Sequence, residues 1–166
     1  MVLLLVAFLF AMLAVIVRSA PAVWRISGGG RLLQICGITR FIACVFVAFT
    51  AVGGGITLLV GMDKFPAEWL IGTPFSSYLI PGVILAGLVG GSAVAAAVIT
   101  PRIADDGALI SILAGAILLG WLAGERVILP KAAFPTQCLW LEAVYVAAGL
   151  MMVVPALPGW LAARRR

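Results

Sequence analysis

Long runs of apolar residues without a single charge set the strongest limit on how this chain can fold. The clearest run is Phe41–Met62, which lies between Arg40 and Asp63. A helix needs about 20 apolar residues to cross the hydrocarbon core of a bilayer. Hydrophobic residues make up 64% of the 166-residue chain and charged residues only 10%. A water-soluble domain of this size could not bury so much apolar surface, so we expect that surface to face lipid.

The apolar runs predict helices rather than strands. Strands of a membrane barrel alternate apolar and polar residues at every second position, whereas these runs are apolar throughout. We therefore predict an all-α membrane protein: a single domain over residues 1–166, with a bundle of about five transmembrane helices and short interfacial segments on the outer side. The predicted spans are residues 1–17, 41–62, 78–100, 107–127 and 139–157.

The first run, Met1–Val17, has two interpretations. Arg18 and Arg25 follow the run and no charged side chain precedes it, which favours a retained helix with its N-terminus outside. The small residues Ser19 and Ala20 form a weak cleavage-like site. Removal of this segment as a signal peptide therefore stays open, and it would leave four spans with an unchanged orientation.

Lys and Arg residues are distributed unequally between the two sides of the predicted bundle. Eight of the 11 lie on one side, and Lys64, Arg126 and Lys131 lie on the other. Positive side chains concentrate in the cytoplasmic loops of membrane proteins. We therefore expect a multi-pass protein with its N-terminus outside and its C-terminus in the cytoplasm. The scarcity of lysine beside arginine and the lack of asparagine indicate a bacterial coding bias. We therefore expect this helical membrane protein in the bacterial inner membrane.

Small residues recur at intervals of four along three of the predicted spans. Residues four apart share one helix face, and small ones let two backbones approach closely. This pattern predicts contacts among the second, third and fourth spans, within the chain or with another copy. A further track on the third span consists of Gly82, Ala86 and Gly90. The candidate helix-packing residues are Gly53, Gly61, Gly87, Gly91, Gly120 and Gly124.

Ionisable side chains collect at the outer ends of the predicted spans. The short connection between the fourth and fifth spans makes those helices antiparallel neighbours, so an Arg126–Glu142 ion pair is the simplest arrangement. Ionisable groups at membrane depth are functional candidates. The sequence leaves open both a structural ion pair and a carboxylate that handles a proton or a cation. The candidate outer-side polar cluster consists of Glu68, Glu125, Arg126 and Glu142.

The outer connection before the third span carries a distinctive motif. Its three prolines interrupt any continuous helix and predict a turn at residues 72–74. The motif reads Gly-Thr-Pro-Phe at 72–75, followed by Tyr-Leu-Ile-Pro-Gly at 78–82. It resembles a group of small four-span bacterial integral membrane proteins, with the first helix of this chain as an addition. The resemblance covers the second to fifth spans and implies the architecture, but no activity is attached to the group.

No pattern in the sequence points to a catalytic residue, a cofactor or a metal. The chain has no histidine, which removes the commonest general base and metal ligand. Cys36, Cys44 and Cys138 lack the spacing of a zinc site or a redox pair. The glycine run at 28–30 lacks the Lys-Ser/Thr of a phosphate-binding loop. We therefore predict no catalytic, cofactor-binding or metal-binding residue, and these observations favour a protein that is not an enzyme.

These observations favour a structural, accessory or binding component of a membrane complex. The expected partners are the lipid bilayer and either other membrane subunits or a second copy; nucleic acid is not expected, because the basic residues do not form a soluble face. The alternative is a small transporter or channel for an apolar or lipidic solute, which would need a continuous polar path. A membrane-embedded enzyme is a further alternative, and it would need a pocket uniting Glu68, Glu125 and Glu142.

Overall fold

Four helices in the computed structural model of the chain are long and apolar enough to cross a membrane. The structure describes residues 31–61, 70–100, 104–128 and 139–163, and these are helical apart from short turns. The lengths of the four apolar segments match the hydrocarbon core of a bilayer. The segments are Ile35–Val60, Leu79–Ile99, Gly107–Ile128 and Leu139–Ala156.

The helices follow the chain in a simple order. Helix α1 is Arg31–Val60, α3 is Ala104–Ile128 and α4 is Leu139–Val153. Helix α2, Leu79–Ile99, changes its hydrogen-bond pattern on the way. Its ends, Leu79–Val83 and Gly91–Ile99, are α-helical, and the segment between them, Ile84–Gly90, is π-helical. A π-helical segment this long is rare, and such segments occur frequently at functional sites.

The second to fifth predicted spans coincide with these four helices to within a few residues at most ends. Charged residues mark the boundaries because they are costly within hydrocarbon. The first predicted span, residues 1–17, lies outside the described residues. A membrane bundle with four candidate spans is therefore observed, while the count of about five stays a prediction.

The start of α1 corrects one expectation. The sequence placed Arg40 in a loop before residue 41, but α1 begins at Arg31 and Arg40 is a buried helical residue with 8% of its surface exposed. A helix of 30 residues is about 45 Å long, whereas the hydrocarbon core is about 30 Å thick. The charge therefore need not end the helix, since α1 is long enough to extend beyond the core.

The helical path continues beyond the last candidate span. That span is Leu139–Ala156, which agrees with the predicted end near residue 157. Within it α4 ends at Val153 and a 3-10 turn covers Val154–Ala156, and a short helix, α5, follows at Leu157–Ala163. Proline lacks the backbone N–H that would continue the α-helical ladder, and a 3-10 turn accommodates this loss without ending the helical path.

The four long helices form an up-and-down bundle. Helix α1 packs against α2 and α4, and α3 packs against the same two helices, while α1 and α3 barely touch. Neighbours in sequence are therefore neighbours in space, as short connections require. Large apolar side chains also point outward, and more than half of the surface of Ile42, Leu88 and Leu113 is exposed. Such a surface suits contact with lipid rather than with water.

The helices approach most closely at a few glycines. A Cβ atom placed on Gly55 of α1 would lie 2.6 Å from the backbone nitrogen of Ala86 and 2.8 Å from the carbonyl oxygen of Gly82. One placed on Gly115 of α3 would lie 2.9 Å from the carbonyl oxygen of Gly149 on α4. Within lipid, helices associate through such close packing. The track of Gly82, Ala86 and Gly90 is the face of α2 that packs on α1.

The six glycines expected to mediate helix packing do not make these contacts. A Cβ atom placed on any of them would meet no atom within 4 Å in the described part of the chain, apart from neighbouring backbone of its own segment. The reason is rotation: moving one residue along a helix turns the side chain by about 100°, so a neighbouring track faces elsewhere. Contact with another copy stays a prediction. The six are Gly53, Gly61, Gly87, Gly91, Gly120 and Gly124.

We expect Gly55→Ala to destabilise the bundle while Gly53→Ala does not. The added methyl group at residue 55 would force the backbones of α1 and α2 apart, and overpacking of this kind costs about 1–3 kcal/mol. Position 53 faces open space, and alanine favours a helix over glycine by up to about 1 kcal/mol. Thermal unfolding in mild detergent checks this, and equal stability of the two variants would contradict the α1–α2 contact.

Candidate functional site

A cavity of about 450 Å³ lies at one end of the bundle. It is bordered by the C-terminal half of α1, the segment 70–78, the first turns of α2, the last turns of α3 and the first turns of α4. We call this the cavity end, and we call the opposite end, where Arg40 lies, the Arg40 end. Ligand pockets in proteins commonly have volumes of about 300–1,000 Å³, so the cavity can hold a small molecule or part of a lipid.

The segment 70–78 forms one wall of the cavity and is held by a local turn. Gly72 has φ +85, a conformation that favours glycine. The Thr73 hydroxyl donates to the carbonyl oxygen of Leu70 at 2.8 Å and accepts a hydrogen bond from the backbone N–H of Phe75 at 3.3 Å. The turn expected at residues 72–74 is therefore confirmed. It places Phe75 and Tyr78 beside the cavity.

Most of the cavity wall is apolar, and several of its side chains are aromatic. Tyr145 of α4 packs against Phe46 of α1, with ring centroids 5.8 Å apart. Burial raises the pKa of the Tyr78 phenol, which therefore stays protonated at neutral pH and can donate a hydrogen bond. The aromatic residues that line the cavity are Phe75, Tyr78, Trp121 and Tyr145.

The expected Arg126–Glu142 ion pair is present at the mouth of the cavity. Arg126 Nε donates to Glu142 Oε1 at 2.6 Å, and Arg126 Nη2 donates to Glu142 Oε2. This two-bond geometry matches the planar guanidinium to the planar carboxylate. The pair joins the last turn of α3 to the first turn of α4. Both carboxylate oxygens of Glu142 are therefore engaged in a contact between helices.

Glu125, one residue before Arg126, has a different environment. It lines the cavity and is partly buried. Among the residues that the structure describes, no Lys or Arg forms an ion pair with it. Its side chain interacts with that of Trp121 one turn earlier, and the indole N–H can donate a single hydrogen bond. Glu142 lies near enough to repel its charge.

A separate polar cluster lies at the Arg40 end. Ser111 of α3 is fully buried, and its hydroxyl lies 3.0 Å from the Thr100 hydroxyl and 3.8 Å from the Cys44 sulfur. Thr100 also donates to the carbonyl oxygen of Gly107 at 3.4 Å. These contacts satisfy polar groups inside the bundle and hold the α2–α3 turn against α1. Nearby, Arg40 Nε is buried and makes no hydrogen bond with the residues that the structure describes.

An apolar layer separates the cavity from this polar cluster. It is made of fully or almost fully buried side chains from all four helices, and Leu118 both belongs to it and lines the cavity. Within the described part of the chain, therefore, no continuous polar path runs between the two ends. Its largest members are Val47, Val89, Leu118 and Met152.

The structure brings together three of the four residues of the predicted polar cluster. Glu125, Arg126 and Glu142 meet at the cavity, while Glu68 lies outside the described residues. Gly120 and Gly124 of α3, expected to pack against a helix, line the cavity instead. The part played by Trp121 was not predicted from the sequence. Its spacing of four from Glu125 on one helix face is the signal that could have revealed it.

Comparisons of the chain with protein-family models, with curated proteins and with solved structures found no match. The resemblance to small four-span bacterial membrane proteins therefore stays a prediction.

We expect Cys44 to resist thiol reagents in the folded protein. Its side chain has no exposed surface, whereas Cys36, two turns earlier on α1, is partly exposed. Single-cysteine variants can be treated with N-ethylmaleimide in mild detergent and analysed by mass spectrometry. Cys36 should be labelled well before Cys44, and both should react after denaturation. Equal labelling rates in the folded state would contradict the closed packing at the Arg40 end.

Proposed function

We propose that this chain is a small multi-pass membrane protein that binds an apolar or lipid-like ligand in the cavity between its helices. The observation that carries the proposal is the cavity itself, about 450 Å³ in volume and lined mainly by apolar side chains. Sites for small molecules are typically concave and apolar, with a few polar groups that orient the ligand. Here the polar groups include Thr73, Tyr78 and Glu125.

The apolar layer beneath the cavity supports binding over a channel. Leu118 and Met152 are almost completely buried, and a channel would need a polar or water-filled route past them. A protein that receives a ligand from one end needs no such route. The closed layer also gives the ligand a floor, since Leu118 faces the cavity.

A carrier for the same kind of ligand is the second candidate, and the π-helical segment of α2 favours it. Leu85 in this segment lines the cavity, and the segment packs against Gly55. Changes in hydrogen-bond register can shift a π-helical turn, and irregular helices often border transport sites. In a carrier, the apolar layer would have to open in a second state toward the Arg40 end.

An accessory role in a larger assembly is compatible with binding. Gly87 and Gly91 of α2 have open space around them and lie on a surface-exposed face. Small residues on a lipid-facing surface let another helix approach. Another membrane subunit or a second copy of this chain could use that face while the cavity stays accessible.

The distribution of positive charge supports a location in a bacterial cytoplasmic membrane with the Arg40 end inside. We expect a C-terminal fusion to green fluorescent protein to fluoresce and a C-terminal alkaline phosphatase to be inactive, because the phosphatase needs an oxidising compartment for its disulfides. The same reporters fused after Gly72 should give the opposite pattern. An active phosphatase at the C-terminus would contradict the orientation.

We expect Gly120→Leu to block binding in the cavity. A Cβ atom at this position meets open space and the residue lines the cavity, so the larger side chain fills the volume without a clash. Gly91→Leu is the matched control, because that glycine also faces open space but does not line the cavity.

The measurement is photolabelling with a small, uncharged aryl diazirine, followed by peptide mapping. The wild-type protein and Gly91→Leu should be labelled at Leu118, which is buried from the lipid around the bundle. In Gly120→Leu, labelling of Leu118 should fall severalfold. Labelling confined to outward-facing residues in all three proteins would overturn the proposal. A change in oligomeric state in Gly91→Leu alone would instead support contact between copies.

A further inference from the structure

The two carboxylates beside the cavity have different electrostatic partners. Both oxygens of Glu142 accept hydrogen bonds from the Arg126 guanidinium, so that charge is balanced within the protein. Glu125 has no cationic partner among the described residues, although it directly precedes Arg126 on α3. Of these two carboxylates, only Glu125 would therefore carry, in its ionised form, a negative charge that the described part of the protein leaves unbalanced.

An unbalanced carboxylate is costly in this position. Glu125 lies three residues before the end of the apolar segment Gly107–Ile128, or about 5 Å along the helix axis. It is partly buried there among apolar side chains, where an isolated charge is stabilised poorly unless it is paired. The indole N–H of Trp121 can satisfy one of the several acceptor positions of the carboxylate. Glu125 itself lines the cavity.

The rest of the cavity wall complements a positive charge. Among its described lining residues, none is Lys or Arg, so no cation from this part of the wall pairs with Glu125. Trp121, Tyr78 and Tyr145 contribute aromatic rings, and the faces of such rings attract cations within about 6 Å. The combination of aromatic rings and one carboxylate suits an organic cation better than a neutral or anionic molecule.

The depth of these groups fits an amphipathic ligand. Leu118 forms the apolar floor seven residues before Glu125 on α3, which places the floor about 10 Å deeper along the helix. Leu58 and Leu85 add apolar surface on the opposite side. A ligand could therefore place its charge beside Glu125, near the headgroup region, and its apolar body against the floor.

We infer that the ligand of the cavity is a lipophilic organic cation and that Glu125 binds its positive charge. This inference rests on the proposed function of the cavity and specifies the chemical class of its ligand. Glu142 has a structural role through Arg126. On this inference, Glu142 corresponds to the structural ion pair and Glu125 to the cation-handling carboxylate that the sequence left open.

The test compares two probes of nearly equal shape and opposite charge, tetraphenylphosphonium and tetraphenylborate. Equilibrium binding to the purified protein is measured in a non-ionic detergent, with binding to protein-free micelles subtracted. We expect wild-type protein to prefer the cation by about tenfold or more, since a buried carboxylate and aromatic faces both favour it. Gly120→Leu, which fills the cavity, should reduce the binding of both probes.

Single-residue variants that remove or keep one negative charge test whether Glu125 causes the preference for the cation. Glu125→Gln should lose most of the preference for the cation, and Glu125→Asp, which keeps the carboxylate, should retain much of it. Asp105→Asn is the matched control: it also removes one negative charge from α3, but its helix position is 20 residues away, or about 30 Å. It should bind both probes like the wild-type protein.

The outcomes separate this inference from the proposed function. Equal binding of the two probes to wild-type protein, or tighter binding of the borate, overturns the lipophilic-cation inference while binding in the cavity stands. An unchanged preference in Glu125→Gln overturns the role of Glu125. If neither probe binds and the uncharged diazirine fails to label Leu118, the proposed function fails as well. The comparison on wild-type protein decides the ligand class even if Glu125→Gln does not fold.

Discussion

The structure depends on how closely the helix backbones can approach one another. In lipid there is little hydrophobic gain in bringing two apolar helices together, so packing itself must hold them. Gly55, Gly82 and Gly90 provide close contact between α1 and α2, and Gly115 and Gly149 provide it between α3 and α4. The bundle can therefore be regarded as two tightly joined helix pairs.

The cavity follows from the way the two pairs meet. At the middle of the bundle, small and medium-sized side chains such as Ala48, Ala93, Ala114 and Met152 fill the space between the pairs. Toward the cavity end, Gly54, Gly120 and Gly124 occupy positions that face the same space. Glycines there contribute no side chain, and the result is an opening rather than a contact. The same residue type thus closes one interface and opens another, depending on the face of the helix.

The sequence was sufficient to predict the helices but not the faces through which they pack. Charges and prolines bracket the apolar runs, so the second to fifth spans were placed within a few residues at most ends. Arg40 is the exception, because α1 exceeds the membrane thickness and buries a charge near one end. The track of Gly87 and Gly91 and the track of Gly82 and Gly90 look equally suited to packing. Only the neighbouring helix distinguishes them, and α1 packs on the second.

The candidate site was predictable to a similar degree. Antiparallel helices with a short connection must bring Arg126 near Glu142, and that pair is present. The cavity depends on the positions of four helices and of the turn at Gly72, so no local pattern could indicate it. The different environments of Glu125 and Glu142 are also a tertiary property. Adjacent residues on a helix point about 100° apart, so Arg126 reaches across to α4 while Glu125 faces the cavity.

Because the side chains of Glu125 and Arg126 point in different directions, α3 both binds α4 and forms one wall of the cavity. The ion pair of Arg126 and Glu142 joins α3 to α4 at the mouth of the cavity, and Glu125 lies on the same wall. The opposite wall belongs to α1 and α2, whose π-helical segment is its least regular part. A ligand held between Glu125 and Leu85 would therefore contact both helix pairs at once. A motion that widened the apolar layer at Leu118 would alter that contact.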